Sequence, residues 1–186
     1  MQKLENVAQR LVEKGLTKHS ISQAILNDYV QNQPDHEKLK QLGEMLKEKL
    51  PALLASKQGL QVACAIFTIL DAKDRKVAIK ALPVVEMLSN KIAHLFLIHI
   101  ANTLDDTQLT KKKLLHEALK VVDDQIGDKC YQTFIISSLL PKATKDQQVR
   151  NTSLTPEEQE LLSTLSQLTT SKKDAAVRSN ELFKIS

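Results

Sequence analysis

Apolar residues in this chain recur on the three-to-four-residue beat of helices, and they come in blocks separated by polar breaks. From Leu4 to Leu16 the positions Leu4, Val7, Ala8, Leu11 and Val12 share one helical face, with Gly15 placed to end the segment. Thr17 is expected to cap a second helix, which carries the apolar run Ile21 to Leu26. After polar Gln31 to Gln33, Pro34 and Asp35 open a third helix holding Leu39, Leu42, Leu46 and Leu50, and Pro51 is expected to kink or end it. Gln58-Gly59 begins a strongly apolar helix, and Asp71 to Asp74 makes a turn. Val77, Ala81, Val84, Val85 and Leu88 then mark a further core face. Amphipathic and strongly apolar segments alternate, which is the pattern of helix pairs with one member sandwiched and the other outside.

Four of these segments share one internal layout. Ser20, Gly59, Ala93 and Tyr131 act as anchors, about 34 to 39 residues apart, and each precedes an apolar run: Ile21 to Leu26, Leu60 to Leu70, His94 to Leu104 and Gln132 to Leu140. A period in that range marks a solenoid, whose units bury their apolar faces only by stacking on neighbours. Such a protein is expected to work through its surface.

Beyond Pro141 the apolar density falls, and Lys142 to Ser153 reads as a solvated connector. Thr155-Pro156-Glu157-Glu158 is a helix start, with a Thr cap, Pro in the first turn and a Glu able to bond back. Leu161, Leu162, Leu165 and Leu168 complete that short helix, Thr169 to Ser171 breaks it, and a last helix runs to the end of the chain without a partner. The chain is therefore expected to be part of something longer.

Composition agrees with an all-α fold. Of 186 residues 42% are hydrophobic, enough for a continuous core, while Gly (4), Pro (5) and aromatic residues (3%) are too scarce for a typical sheet protein. Cys64 and Cys130 sit inside apolar runs without a CxxC or a His at ligand spacing, so they read as reduced core residues. No charged-then-apolar leader opens the chain, and His or Asp interrupts the longest apolar runs, so a soluble, reducing compartment and no membrane partner are expected. In that setting the sequon Asn151-Thr152-Ser153 is a chance match.

The net charge of +4 is unevenly spread. Residues 1–70 carry 9 basic and 7 acidic groups, 71–145 carry 12 and 9, and 146–186 carry 5 and 6. A basic middle suits a polyanion binder and also plain solubility. Catalytic signatures are missing: no HExxH, no Gly-rich phosphate loop, and no convergent nucleophile and base. His94 and His99, five apart, point to different helix faces and read as core. Asp123, Asp124 and Asp128 lack the spacing of a calcium loop, and Asp105-Asp106 before Thr107 reads as a turn and cap. No catalytic residue, metal or cofactor is therefore assigned.

Four stretches carry a family likeness: Leu16-Thr17-Lys18-His19-Ser20; Lys73-Asp74-Arg75-Lys76-Val77 with Lys80; Leu104-Asp105-Asp106-Thr107-Gln108-Leu109; and Ser171-Lys172-Lys173-Asp174 followed by Val177-Arg178 and Glu181-Leu182. In this order and spacing they resemble the Pumilio-related Puf-A family of nucleolar proteins, in the region that includes its CPL domain. The resemblance runs from about Leu4 to Ser186. It implies a right-handed α-solenoid of Puf-like helical repeats that binds nucleic acid and serves ribosome assembly in the nucleolus. The expected organisation is a 1–145 Puf-like, CPL-type region, a 146–170 connector with a short helix, and a 171–186 start of a further repeat.

In a sequence-reading Puf repeat the second helix presents two base-edge side chains with a stacking side chain between them. The corresponding trios here are Ile21, Ser22, Ile25; Leu60, Gln61, Cys64; His94, Leu95, Ile98; and Gln132, Thr133, Ile136. Ile and Cys at the outer position cannot form bidentate bonds to a base, and no aromatic or Arg plane fills the middle position. This chain also departs from the family pattern by carrying Ser, Ala and Tyr at three of the four anchors where Gly often opens the helix.

Nucleic-acid contact is then expected through phosphates, with little sequence preference and strong salt sensitivity. Lys73, Lys76 and Lys80 recur at i, i+3 and i+7 with Arg75 beside them, and form the first candidate surface. Lys111, Lys112 and Lys113, and Lys172, Lys173 and Arg178, are secondary clusters. A competing reading gives Lys73, Asp74 and Arg75 to an inter-repeat salt bridge. The expected function is RNA binding, with DNA an open second ligand, in assembly of the large ribosomal subunit, with pre-ribosomal particles or ribosomal proteins as partners in the nucleolus or nucleus. The alternative is a protein-interaction scaffold that holds no nucleic acid. Repression of a particular messenger is disfavoured by the missing base code.

Overall fold

The computed structural model describes residues 2–139 apart from Pro34, Asp105 and Ile126. The expected connector, the capped Thr155 helix, the last helix and the cluster Lys172, Lys173 and Arg178 lie outside the described residues. Among those described, every regular element is helical, the all-α class that the sequence predicts.

The chain divides into two units at Leu82/Pro83. The first contains α1 (Gln2–Glu13), a 3-10 turn (Leu16–Lys18), α2 (Ser20–Asn32), α3 (His36–Leu46), α4 (Leu50–Leu53), α5 (Lys57–Ile69) and α6 (Ala72–Lys80). Helices α2 and α5 pack side by side as its centre, with α1 against α2 and α3 against α5. Leu26, Leu46, Leu50, Leu53, Leu60, Ile66 and Phe67 are fully enclosed, and each such side chain contributes about 1.5–3 kcal/mol by leaving water.

The second unit contains α7 (Val84–Leu88), α8 (Ala93–Thr103), α9 (Thr107–Thr110), a π-helical turn (Lys111–Leu115), α10 (His116–Lys120), α11 (Val122–Gln125) and α12 (Lys129–Leu139). Helix α8 packs on α12 and α7, and α10 on α7. From Ala93 to Ala101 every side chain of α8 is buried, including His94 and His99. It is the sandwiched type of helix that the strongly apolar run His94 to Leu104 predicts.

Three of the four repeat anchors share one physical cause. The Gly59 N–H donates to Ser56 Oγ at 3.1 Å, Ala93 N–H to Asn90 Oδ1 at 3.0 Å, and Tyr131 N–H to Asp128 Oδ1 at 3.0 Å. Each anchor is thus the residue whose amide meets a capping side chain three positions earlier. Thr17 holds the corresponding place before Ser20 in the sequence, yet it does not cap α2. It lies buried in the 3-10 turn, and α2 starts behind His19 with no side-chain cap bond. The left-handed Gly15 (φ 67) turns the chain into that 3-10 segment.

Two further expectations are corrected. Helix α3 stops at Leu46, and Pro51 sits at the start of α4, where its missing N–H costs nothing. The stripe Val77, Ala81, Val84, Val85, Leu88 does not form one helix face. Helix α6 ends at Lys80 and Pro83 separates it from α7; Val84 and Leu88 are buried as expected, Val77 and Val85 are half-buried and Ala81 is exposed, with Ala78, Ile79 and Leu82 buried in addition. Proline disfavours helical geometry in the residue before it and donates no hydrogen bond of its own.

Candidate nucleic-acid interface

Helix α6 carries the first candidate surface, and its orientation is fixed by its cap residue and by three buried residues that point the other way. Asp71 caps the helix by accepting from Asp74 N–H at 2.8 Å, a bond that holds its carboxyl below the usual carboxylate range. Asp74 is buried and receives Lys47 Nζ of α3 at 2.7 Å. Asp74 is also the main reason that the Lys47 ammonium is raised above its ordinary range. Ala78 and Ile79 enter the core.

At 100° per residue, the positions opposite this buried side are Lys73, Lys76 and Lys80, and all three are exposed. The structure thus brings the three lysines onto one ridge, about 10 Å long at the rise of a helix. The expected salt bridge of the repeat boundary exists, but it uses Asp74 with Lys47 rather than with Lys73 or Arg75.

Arg75 does not join the ridge. Its Nε donates to the Phe67 carbonyl at 3.0 Å and its Nη2 to the Thr68 carbonyl, and the guanidinium lies over the Phe67 ring, 5.7 Å from its centroid. These carbonyls close the C-terminal end of α5, where a cation also meets the negative end of the helix dipole. Arg75 is thereby a clamp that sets the angle between α5 and α6. Lys49 does the same for α1, donating from Nζ to the Val12 carbonyl at 3.0 Å. Arg75→Ala should destabilise the first unit by about 1–3 kcal/mol. Chemical denaturation would measure this, and an unchanged midpoint would remove the clamp assignment.

In the second unit Lys111 and Lys112 are exposed and Lys113 is half-buried. They lie on a π-helical turn inside the run Thr107–Lys120, which Asp106 caps through Leu109 N–H at 2.9 Å. A π-turn inserts one residue in a helix and re-aims the side chains that follow it. Sequence reading missed this turn because it has no local signature. Glu117, bonded by Lys120 at 2.9 Å, is held below its ordinary range.

The trios at the base-reading positions are largely interior. Leu60, Cys64, His94, Leu95 and Ile98 are buried, as are Ser22 and Thr133, while Gln61 and Ile25 are half-buried and Ile21 and Gln132 exposed. Burial pushes the Cys64 thiol well up. His94 Nδ1 lies 2.8 Å from the Asn90 carbonyl, a core arrangement. No cluster of metal-ligating side chains occurs among the described residues, nor does any helix there have the length and apolarity to cross a membrane.

No protein-family model matches the chain. It is 29% identical over 186 residues to Pumilio homology domain family member 6 of Schizosaccharomyces pombe, covering 98% of this chain and 28% of that protein. To the protein of the same name from Saccharomyces cerevisiae it is 31% identical over 120 residues, 63% of this chain and 18% of the relative. The chain thus spans about a quarter or less of the relatives it matches. A crystal structure of human Puf-A in complex with DNA superimposes with a TM-score of 0.80 at 24% identity, covering 99% of this chain and 35% of that one. Along nearly its whole length the chain is thus similar in sequence to Pumilio homology domain proteins, and it shares the helical-repeat fold of human Puf-A.

Proposed function

We propose that this chain binds nucleic acid, RNA with DNA as a second ligand, through phosphates on the Lys73, Lys76 and Lys80 ridge. Binding has little sequence preference and no catalytic step. It serves assembly of the large ribosomal subunit in the nucleolus, on pre-ribosomal particles. The observation that carries this reading is the combination on one helix of three exposed lysines with a fully anchored opposite side. Rigid placement lowers the entropy lost when phosphates are gripped. The interior placement of most base-reading positions leaves phosphate contact as the available mode. A further support is that the structurally similar human Puf-A has been crystallised with DNA. Lys111 and Lys112 are second candidates for the same role, as are Lys172, Lys173 and Arg178 outside the described residues.

Fluorescence anisotropy against a mixed-sequence RNA, a duplex DNA and a poly-uridine strand tests this. At about 50 mM salt all three should bind comparably, and at about 200 mM binding should collapse. Replacing Lys73, Lys76 and Lys80 together by Ala should lower affinity about tenfold and flatten the salt slope by roughly one unit per lost phosphate contact, with helicity unchanged. Equal affinity in the triple variant would end the ridge assignment, and strong preference for one sequence would end the phosphate reading.

A further inference from the structure

Helix α2 exposes a face that the nucleic-acid reading does not use. Ile21, at 72% exposure, stands in the first turn, and Ala24 and half-buried Ile25 continue the strip one turn on. Asn27, Asp28 and Gln31 follow. Together these residues line a shallow groove of about 410 Å³. Single exposed aliphatic residues are ordinary, but here three within two successive turns share a groove.

The polar end of the groove has a definite sign. Asp28 is the only charged residue in α2, and it is exposed. Asn27 Oδ1 is buried without a hydrogen-bond partner among the described residues. Asn32 Nδ2 donates to the Asp28 backbone carbonyl at 2.8 Å and to Asp28 Oδ1 at 3.2 Å. The exposed Asp28 carboxylate therefore puts a negative charge at this end of the groove. No cation lines this groove, so a phosphate would meet repulsion where an ammonium or guanidinium would meet a carboxylate.

We propose that this face of α2 docks a basic, amphipathic peptide segment of a partner protein. Aliphatic side chains of the segment cover Ile21 and Ile25, and a Lys or Arg about 10 Å further along meets Asp28, matching the rise from residue 21 to residue 28. This surface goes beyond the phosphate ridge and stands without it.

The test is a chemical-shift titration of the isotope-labelled chain. The probe is a short alanine-based helical peptide with two leucines one turn apart and two arginines one turn beyond. Shifts should concentrate on α2, and affinity should fall about tenfold when the arginines are replaced by glutamates or the chain carries Asp28→Lys. Ile21→Asp, a change at an exposed position that leaves the core intact, should remove the response. Absence of shifts on α2, or equal response to both peptides, would overturn the proposal. So would tighter binding of a poly-uridine strand at the same resonances, which would assign the face to nucleic acid. Concentration-dependent α2 shifts without peptide would overturn it in favour of a second copy of the chain.

Discussion

Gly59→Ala should cost the first unit about 3 kcal/mol or more, well above the typical single substitution. A Cβ built on Gly59 would lie 1.8 Å from the Leu53 carbonyl oxygen and 2.6 Å from Gln23 Oε1. The first is backbone and cannot rotate away, so α4 and α5 must separate. The clash with Gln23 also loosens the contact of α5 with α2, the centre of the unit. Gly15→Ala is the matched control. A Cβ there meets nothing within 4 Å, so only the left-handed backbone (φ 67) resists it, at about 1 kcal/mol. Thermal unfolding followed by circular dichroism should show Gly59→Ala lowering the midpoint by about 6 to 12 °C and Gly15→Ala by about a third of that. Equal shifts would mean that close approach is not what selects glycine at position 59.

Gln23→Leu should cost about 3 kcal/mol, even though leucine is more hydrophobic and the site is fully buried. The Gln23 amide joins three segments. Its Nε2 donates to the Thr17 carbonyl at 2.9 Å and to the Ala52 carbonyl at 3.2 Å, and its Oε1 accepts from Ser56 Oγ at 2.6 Å. The chain of bonds ends at Gly59, whose N–H donates to the same Ser56 hydroxyl. Leucine leaves two carbonyls and a hydroxyl without these partners; the bond to Thr17 is buried and the other two are part-buried, and an orphaned buried group costs about 1–3 kcal/mol. Gln23→Glu gives a sharper signature. A carboxylate facing two carbonyls is disfavoured, so the folded-state pKa of that Glu rises above the unfolded value of about 4.3. Stability is then greatest below that value and falls as pH rises toward neutrality. Urea midpoints for Gln23→Glu that do not fall between pH 5 and pH 7, relative to the parent chain, would contradict this network. Because Gln23 and Gly59 share one network, their double substitution should cost less than the sum of the two.

Residue type alone located much of this architecture. The helical beat, the four anchors, the Gly15 stop and the caps at Asp35 and Asp106 depend on neighbours within four positions, and local neighbours are present in any sequence reading. The cap residues Ser56, Asn90 and Asp128, three before each anchor, were a legible signal that sharpens the repeat. Thr17 shows the limit of such signals. It has the right type and spacing, but its carbonyl is claimed by Gln23 and the chain takes a 3-10 turn instead.

The candidate surface divides along the same line. That Lys73, Lys76 and Lys80 share a face follows from helical spacing. That this face is the outer one depends on Lys47 reaching Asp74 from α3, and the exclusion of Arg75 depends on the carbonyls at the end of α5. The sequence by itself determined helix content, repeat spacing and the sign and periodicity of the exposed charge, because these arise from interactions within a turn or two. Only the tertiary structure decided that Gln23 is interior, that Gly59 must be glycine and that Arg75 is a clamp. Each of those roles is set by partners on other segments, where a hydrogen bond or a steric contact outweighs local preference.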